Sequence, residues 1–466
     1  MNDRRSPRER RDAPTARSVA LDVLRAVESS DAYANLLLPV RIRDAGLDAR
    51  DAALATELAY GTLRRRGLYD AVIALAAGRS IDAIDAPVLD VLRLGAHQLL
   101  AMRIPGHAAV GETVALVRAV ASRGAVGFVN GVLRTIARGD PEEWIERAVA
   151  TARSGEEALA IRHSHPLWVV RAIRQVLVAE GREHELEAAL AADNAAPGVS
   201  LVALPGLADV TELIDAGARP LEHSPLGAAL RGGDPAALAP VAGGRARVQD
   251  EGSQLAALAL SRARPVEAGE RWLDLCAGPG GKAALLAAEA AIGGASLVAN
   301  EIVPARVGLV RSALAPFGDA VEVVESDGTT FGERAPGAFD RVLLDAPCTG
   351  LGALRRRPEA RWRKQPADVA ELAELQSRLI DSAVAALTPG GVLAYVTCSP
   401  HAAETRAIVA AALRRHPALR RLETRPVLQA VSREPLDLAP GEHAQLWPHR
   451  HATDAMYIQL LTTDGR

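Results

Sequence analysis

Between residues 272 and 398, five short apolar runs are separated by stretches of helix length, and this rhythm constrains the fold more than any other feature. The runs are Trp272–Leu275, Ser296–Asn300, Ala320–Val324, Val342–Leu344 and Val392–Thr397. Each has the length and apolar character of a strand covered on both faces. Ala283–Ala291, Pro304–Leu314 and Val369–Leu387, which lie between them, are helical in composition. Strands alternating with helices at this spacing predict a parallel, doubly wound α/β sheet over residues 246–466. Such a sheet collects the residues that follow its strands along one edge, where open α/β folds bind their ligands.

The residues at those strand ends are chemically distinctive. The first run leads into Cys276-Ala277-Gly278-Pro279-Gly280-Gly281-Lys282, a glycine-rich turn opening a helix. Backbone N–H groups in such a turn face an anion or polar ligand. Gly278, Gly280 and Ala283 satisfy the loose G-x-G-x-x-A dinucleotide pattern, with Glu301 further on, so an oxidoreductase remains an open reading of these residues. A phosphate-cradling P-loop fails, because Cys276 replaces its first glycine and Ala283 follows Lys282. Glu301, Asp327 and Asp345 end successive strands. A row of carboxylates repels a pyrophosphate. It suits ribose hydroxyls and a cationic head, so S-adenosylmethionine is the expected cofactor.

Two thiols and a basic segment complete the pattern. Asp345-Ala346-Pro347-Cys348-Thr349-Gly350 follows the fourth run and Cys398 ends the fifth. Cys276, Cys348 and Cys398 are the three cysteines of the chain, too few for a disulfide framework and not spaced as zinc ligands, so no metal is expected. Arg355, Arg356, Arg357, Arg361, Trp362 and Arg363 follow Cys348 closely. Net charge is −3, so a nucleic acid would be held by such a local patch, through phosphates and aromatic stacking, not by a global field. Together these residues predict covalent chemistry on a nucleic-acid base. Lysine is nearly absent, with Lys282 and Lys364 against 52 arginines, which marks Lys282 for a role at the cofactor or substrate.

Residues 1–14 read as a disordered basic tail without the apolar segment of a secretory leader. From 15 to 140 the pattern is helical throughout: Val19, Val23 and Val27 recur at four-residue spacing, as do Leu54 and Leu58, then Val88 and Leu92. Residues 141–245 read as a small connecting α+β subdomain. Nowhere do 18 apolar residues run together, so a cytoplasmic protein without a membrane span is expected.

Particular motifs resemble known proteins. Glu57–Arg64, Ile104–Ala109 and Phe128–Arg134 resemble the NusB-like RNA-binding domain at the N-terminus of some RNA methyltransferases. LDLCAGPGGK, LLDAPCTG and YVTCSP, in this order, resemble the RNA 5-methylcytosine methyltransferases of the Nol1/Nop2/Sun family, and with the N-terminal domain their bacterial small-subunit ribosomal RNA (Sun/Fmu) type. The resemblance implies a multidomain chain: an all-α NusB-like bundle, a connector and a Rossmann-like methyltransferase domain. It implies methyl transfer to C5 of a cytosine in 16S ribosomal RNA, free or partly assembled, by a monomer. It places the cofactor on Cys276 to Lys282, Glu301, Asp327 and Asp345. The residues themselves leave open which thiol attacks C6 of the base; the resemblance assigns attack to Cys398 and release to Cys348, with Asp345 at the base. Another RNA as substrate, or a binding module acting in antitermination, are the alternatives. Two departures stand out: Glu301 replaces the usual aspartate, and Thr453-Asp454-Ala455-Met456-Tyr457 lacks the usual Gly-Phe-Phe.

Overall fold

The computed structural model describes residues 14–30 and 32–464, so residues 1–13 of the expected basic tail lie outside the described residues. The chain divides into two compact units. One comprises Met1–Arg171, Asp193–Ala195 and Leu354–Arg363; the other comprises Ala172–Ala192, Ala196–Ala353 and Lys364–Arg466. The stretch 141–245, expected to form one connector, is shared between them: helices Pro141–Val149 and Gly155–Arg162 belong to the first unit, and its strands to the second.

The first unit is helical. Helix Ala16–Ser29 starts at Thr15, whose hydroxyl takes the Ser18 N–H in a reciprocal capping box, and it buries Val19, Val23 and Val27. Helix Ala49–Arg64 buries Leu58, and helix Ala86–Leu100, with Pro87 in its first turn, buries Val88 and Leu92. These side chains share one core with Val72, Val129 and Leu133. Burial of such a stripe, rather than intrinsic helix preference, stabilises helices of this length.

Leu354–Arg363 packs within this unit and corrects the reading of the arginine run. Arg361 is fully buried. Its guanidinium donates to Arg64 O (3.2 Å), Ser164 O (3.0 Å), Asn194 Oδ1 (2.8 Å) and Asp193 O (3.2 Å). Arg363 donates to Val27 O (2.8 Å) and Ala32 O (2.5 Å). Arg64 and Val27 lie in the last turns of their helices, whose carbonyls have no partner within the helix. A guanidinium there supplies both donors and a cation at the negative end of the dipole. Arg355 is buried, Arg356 and Trp362 are half-buried, and Arg357 is exposed. Trp362 lies beside the Arg66 guanidinium, 5.8 Å away. Arg355 and Arg361 are thus interior residues and half-buried Arg363 is bonded to main-chain carbonyls, so these three do not form a phosphate-binding patch, and Trp362 is engaged within its own unit.

In the second unit, β1 (Val199–Ala203), β2 (Arg219–Pro220), β3 (Gly227–Leu230) and β4 (Ala246–Val248) form an antiparallel sheet in the order β2-β3-β1-β4. The larger sheet contains β5 (Arg271–Asp274), β6 (Ser296–Glu301), β7 (Val321–Glu325), β8 (Phe339–Asp345), β9 (Leu387–Thr397), β10 (Leu419–Arg421), β11 (Ala444–Gln445) and β12 (Tyr457–Thr463). Its order is β10-β12-β9-β8-β5-β6-β7, with β11 beside β12. Strands β5 to β9 are mutually parallel, as the sequence rhythm predicts, with helices Gly281–Ile292, Pro304–Leu314 and Pro366–Ala386 on the connections. Strands β10 and β12 add an antiparallel margin that the rhythm does not reveal. Tyr457 opens β12 opposite Thr397, the last residue of β9, so the chain re-enters at the C-terminal edge and must run backwards. The strand order reverses between β5 and β8, the position at which doubly wound sheets open a ligand crevice.

Arg361→Ala leaves four buried carbonyl-type acceptors without their donor. The substitution is expected to destabilise the protein by about 3 kcal/mol, read as a lower urea midpoint. The salt dependence of RNA binding by the folded variant should match that of the unchanged protein.

Candidate active site

The loop after β5 is held close to the end of β6. Ala277 N–H donates to Asn300 O (2.8 Å), and Gly278 N–H to Glu301 Oε2 (2.9 Å). A Cβ at Gly278 would strike that oxygen, so a larger residue here would displace the Glu301 carboxylate from the loop. Gly280 follows with φ of 103° and precedes helix Gly281–Ile292, whose first N–H groups receive no side-chain cap. Glu301 also accepts the Val303 N–H through Oε1 (2.9 Å), which orients its carboxylate. Asp327 is exposed; two hydrogen bonds from Thr329 hold its pKa below the usual range. Uncapped N–H groups beside two oriented carboxylates fit a zwitterionic nucleoside with ribose hydroxyls and an amino-acid tail.

The loops after β5, β8 and β9 converge on a second cluster. Lys282 Nζ lies 2.7 Å from Asp345 Oδ2. Burial alone would depress the lysine pKa, but the adjacent Asp345 carboxylate outweighs it and raises the pKa overall, so Lys282 is an ammonium. Cys348 and Cys398 meet with their sulfurs 3.4 Å apart. The hydrogen bond with Cys348, in which either sulfur can be the donor, lowers the Cys398 pKa against burial and the Asp345 charge; Lys282 assists. The same hydrogen bond, together with burial, raises Cys348. These opposite directions make Cys398 the thiol of the pair whose ionisation is favoured.

Main-chain bonds fix this encounter. Ala346 N–H donates to Val396 O (2.9 Å), Gly352 N–H to Cys398 O (2.8 Å), and Ala455 N–H to Gly352 O (2.9 Å). A side chain at Gly352 would strike Ala455 O. Ala455, Met456 and Tyr457 are all buried, so the departure from Gly-Phe-Phe is accommodated in packing. Cys276 has its pKa raised by burial and by surrounding acids, foremost Asp274, and is not poised to react. His401 Nδ1 accepts the Ala403 N–H (3.2 Å), capping a turn, and burial lowers its pKa.

Two acids at the site have no counterpart in the sequence reading. Asp274 ends β5 beneath the glycine loop, 1% exposed, with no well-formed hydrogen bond to either carboxyl oxygen. Burial, reinforced by Asp345, pushes its pKa up to about 8. An acid closing the apolar run Trp272-Leu273-Asp274-Leu275 was the available clue. Glu404 is fully buried and binds the residues next to both catalytic-loop cysteines.

The chain matches the 16S rRNA methyltransferase RsmB/F family over residues 263–462 and the NusB family over residues 14–138. A Pseudomonas putida protein named ribosomal RNA small subunit methyltransferase B is 34% identical over 429 residues, 87% of this chain and 91% of that one. The chain belongs to the ribosomal RNA small subunit methyltransferase B family. It is therefore an RNA methyltransferase with an N-terminal NusB domain and a C-terminal Rossmann-like methyltransferase domain. A Mycobacterium tuberculosis relative named for its methyltransferase class is 51% identical, over 98% of both chains. The solved structure of PH0851 shares the fold across 96% of this chain and 98% of its own, with a TM-score of 0.77 and 22% identity. S-adenosylmethionine dependence follows from family membership, and the β5–β6 cradle has the donors and acceptors that this molecule requires.

The Asp274 pKa makes stability depend on pH in a defined sense. An unfolded aspartate titrates near 4. The folded value is higher, so stability from the protonated carboxyl is complete below about pH 4 and is lost as pH rises through about 8. Asp274→Asn, which stays neutral, should gain stability over the unchanged protein progressively between pH 4 and 8, then level off. The gain should be on the order of a few kcal/mol, measured by urea denaturation across that range.

Proposed function

We propose that this methyltransferase modifies C5 of a cytosine in 16S ribosomal RNA through a covalent bond between Cys398 and C6 of the base. The observation that carries this reading is the 3.4 Å approach of the Cys348 and Cys398 sulfurs, beside the Lys282–Asp345 pair. C5 of cytosine is a weak nucleophile. Addition of the Cys398 thiolate forms an S–C6 bond and moves the C5–C6 π electrons into an enamine, which makes C5 nucleophilic. Asp345 is the group to bind the amino side of the ring, and the Lys282 ammonium paired with it is the proton source that balances the negative charge developed at N3 of the adduct. When bound, S-adenosylmethionine supplies the electrophilic methyl carbon. Cys276 to Lys282, Glu301, Asp327 and Asp345 would hold it. Release needs the C5 proton to pass to a base as the S–C6 bond breaks and its electrons return to sulfur. Cys348 then donates its S–H to the departing thiolate, restoring the hydrogen bond of the free enzyme.

The relatives named for small-subunit ribosomal RNA support 16S RNA, free or partly assembled, as the substrate. A cytosine must leave its stack to reach half-buried thiols. Within the basic run, Arg357 is the exposed arginine and the one best placed to meet a phosphate. A monomer working in the cytoplasm fits this activity.

RNA containing 5-fluorocytosine separates the two thiols, because the fluorine blocks release. The unchanged protein should form a denaturant-stable adduct. Cys398→Ala should form none, with turnover reduced at least about 1,000-fold. Cys348→Ala should trap an adduct even on ordinary RNA. An adduct that survives Cys398→Ala and vanishes with Cys348→Ala would reverse the assignment. Bisulfite mapping of ribosomal RNA from a deletion strain then identifies the cytosine.

A further inference from the structure

Glu404 ends the short turn Ala402–Glu404 that follows Cys398, and it is fully buried. No ion pair neutralises it among the described residues. Its carboxylate is instead surrounded by neutral donors. Oε1 accepts the Thr349 N–H (2.7 Å) and, more distantly, the Gln376 amide (3.4 Å). Oε2 accepts the Thr349 hydroxyl (2.5 Å) and the Ser399 hydroxyl (2.6 Å). The Gln376 amide also donates to Pro347 O (2.8 Å), and the Tyr395 hydroxyl donates to Glu404 O (2.7 Å). Thr349 adjoins Cys348 and Ser399 adjoins Cys398. One carboxylate thus binds the loop after β8 and the loop after β9, each at the residue next to its thiol.

Stability alone is a poor reason to keep such a group. Burying a carboxylate is costly, and well-packed apolar residues often serve a core as well or better. What the carboxylate provides is directionality: four acceptor directions used on partners from two loops and one helix. Sulfur–sulfur hydrogen bonding is weak and sensitive to distance, so the thiol pair depends on how firmly its loops are held.

We propose that Glu404 is a positioning residue for the methyl-transfer reaction, clamping the Cys348 and Cys398 loops at the separation at which one thiol hydrogen-bonds the other. The inference rests on the reading of Cys398 as the attacking thiol. Lys282 from the β5 loop, Asp345 from the end of β8 and Asp454 from the segment before β12 also act electrostatically on Cys398. None of them is hydrogen-bonded to the Glu404 carboxylate, so their effects persist when it is removed. The negative charge of Glu404 additionally helps keep the proton on Cys348, after the Cys398 hydrogen bond, burial and the Cys398 charge.

The test compares Glu404→Ala, Glu404→Gln and Thr349→Val in the full-length protein. Methyl transfer is measured together with iodoacetamide alkylation of Cys398 as a function of pH, quantified by mass spectrometry without RNA. Glu404→Ala should lower kcat about 100-fold while the KM for RNA and the affinity for S-adenosylhomocysteine stay within about threefold. Its Cys398 alkylation midpoint should rise by about one pH unit, a tenfold loss of thiolate. Glutamine can still accept the Thr349 N–H and bridge the hydroxyls, so Glu404→Gln should recover kcat to within about tenfold of the unchanged protein. Wild-type kcat and alkylation in Glu404→Ala would overturn the proposal, as would equal impairment of the alanine and glutamine variants. Should Glu404→Ala not fold, Thr349→Val decides: it deletes one arm of the clamp, and an unmoved alkylation midpoint overturns the proposal. Because alkylation needs no RNA, a shifted midpoint alongside failure of the unchanged protein to form a cytosine adduct would reject the proposed chemistry and leave the clamp standing.

Discussion

Hydrogen bonds between the loops at the ends of β8 and β9 determine where two thiols meet, and the chemistry proposed for this protein depends on that meeting. The parallel pairing of these strands aligns Asp345 with Val396. Beyond the ladder, Ala346 N–H to Val396 O and Gly352 N–H to Cys398 O carry the pairing into the loops. A half-buried sulfur pair gains from this twice. Low polarity strengthens the hydrogen bond between them, and the fixed geometry spares the reaction the entropy of bringing them together. Lys282, one of two lysines in a chain that otherwise uses arginine, provides the compensating cation without a planar fork to accommodate.

How much of this was legible depended on range. The strand ends were readable because each places a polar or reactive residue directly after an apolar run; Glu301, Asp345 and Cys398 could be assigned to one edge from spacing alone. The parallel core followed from the same rhythm. Its antiparallel margin did not, because the direction of β12 is set by where the chain re-enters the sheet, a property of the fold and not of residues 457–463. Asp274 was hidden in plain view. A carboxylate inside an apolar run reads as a strand residue until its burial is known, and burial is what makes it titrate so high.

The arginines fail for a different reason. A basic run beside a reactive loop reads as phosphate-binding, yet Arg361 and Arg363 spend their donors on main-chain carbonyls hundreds of residues earlier in sequence. Local sequence contains no mark of this, because a helix terminus lacking partners looks the same whether water or a guanidinium fills it. Glu404 is the same case with the sign reversed: an acid five positions beyond Ser399 whose partners come from Thr349, Ser399 and Gln376. Long-range satisfaction of buried polar groups is the part of a fold least written into any short stretch.

The backward course of β12 bears on how the protein is made. Strand β9 carries Cys398 at its end, and its outer edge is covered by β12, which pairs with six of its residues from Val392 to Thr397. On the ribosome, β9 emerges well before β12. Until Tyr457–Thr463 follows, the nascent chain presents Val392-Leu393-Ala394-Tyr395-Val396 as an open apolar edge, the kind of surface that pairs with other strands. The thiol pair is therefore among the last features to be closed off during synthesis, and a chain interrupted before residue 457 would carry Cys398 on an unprotected strand.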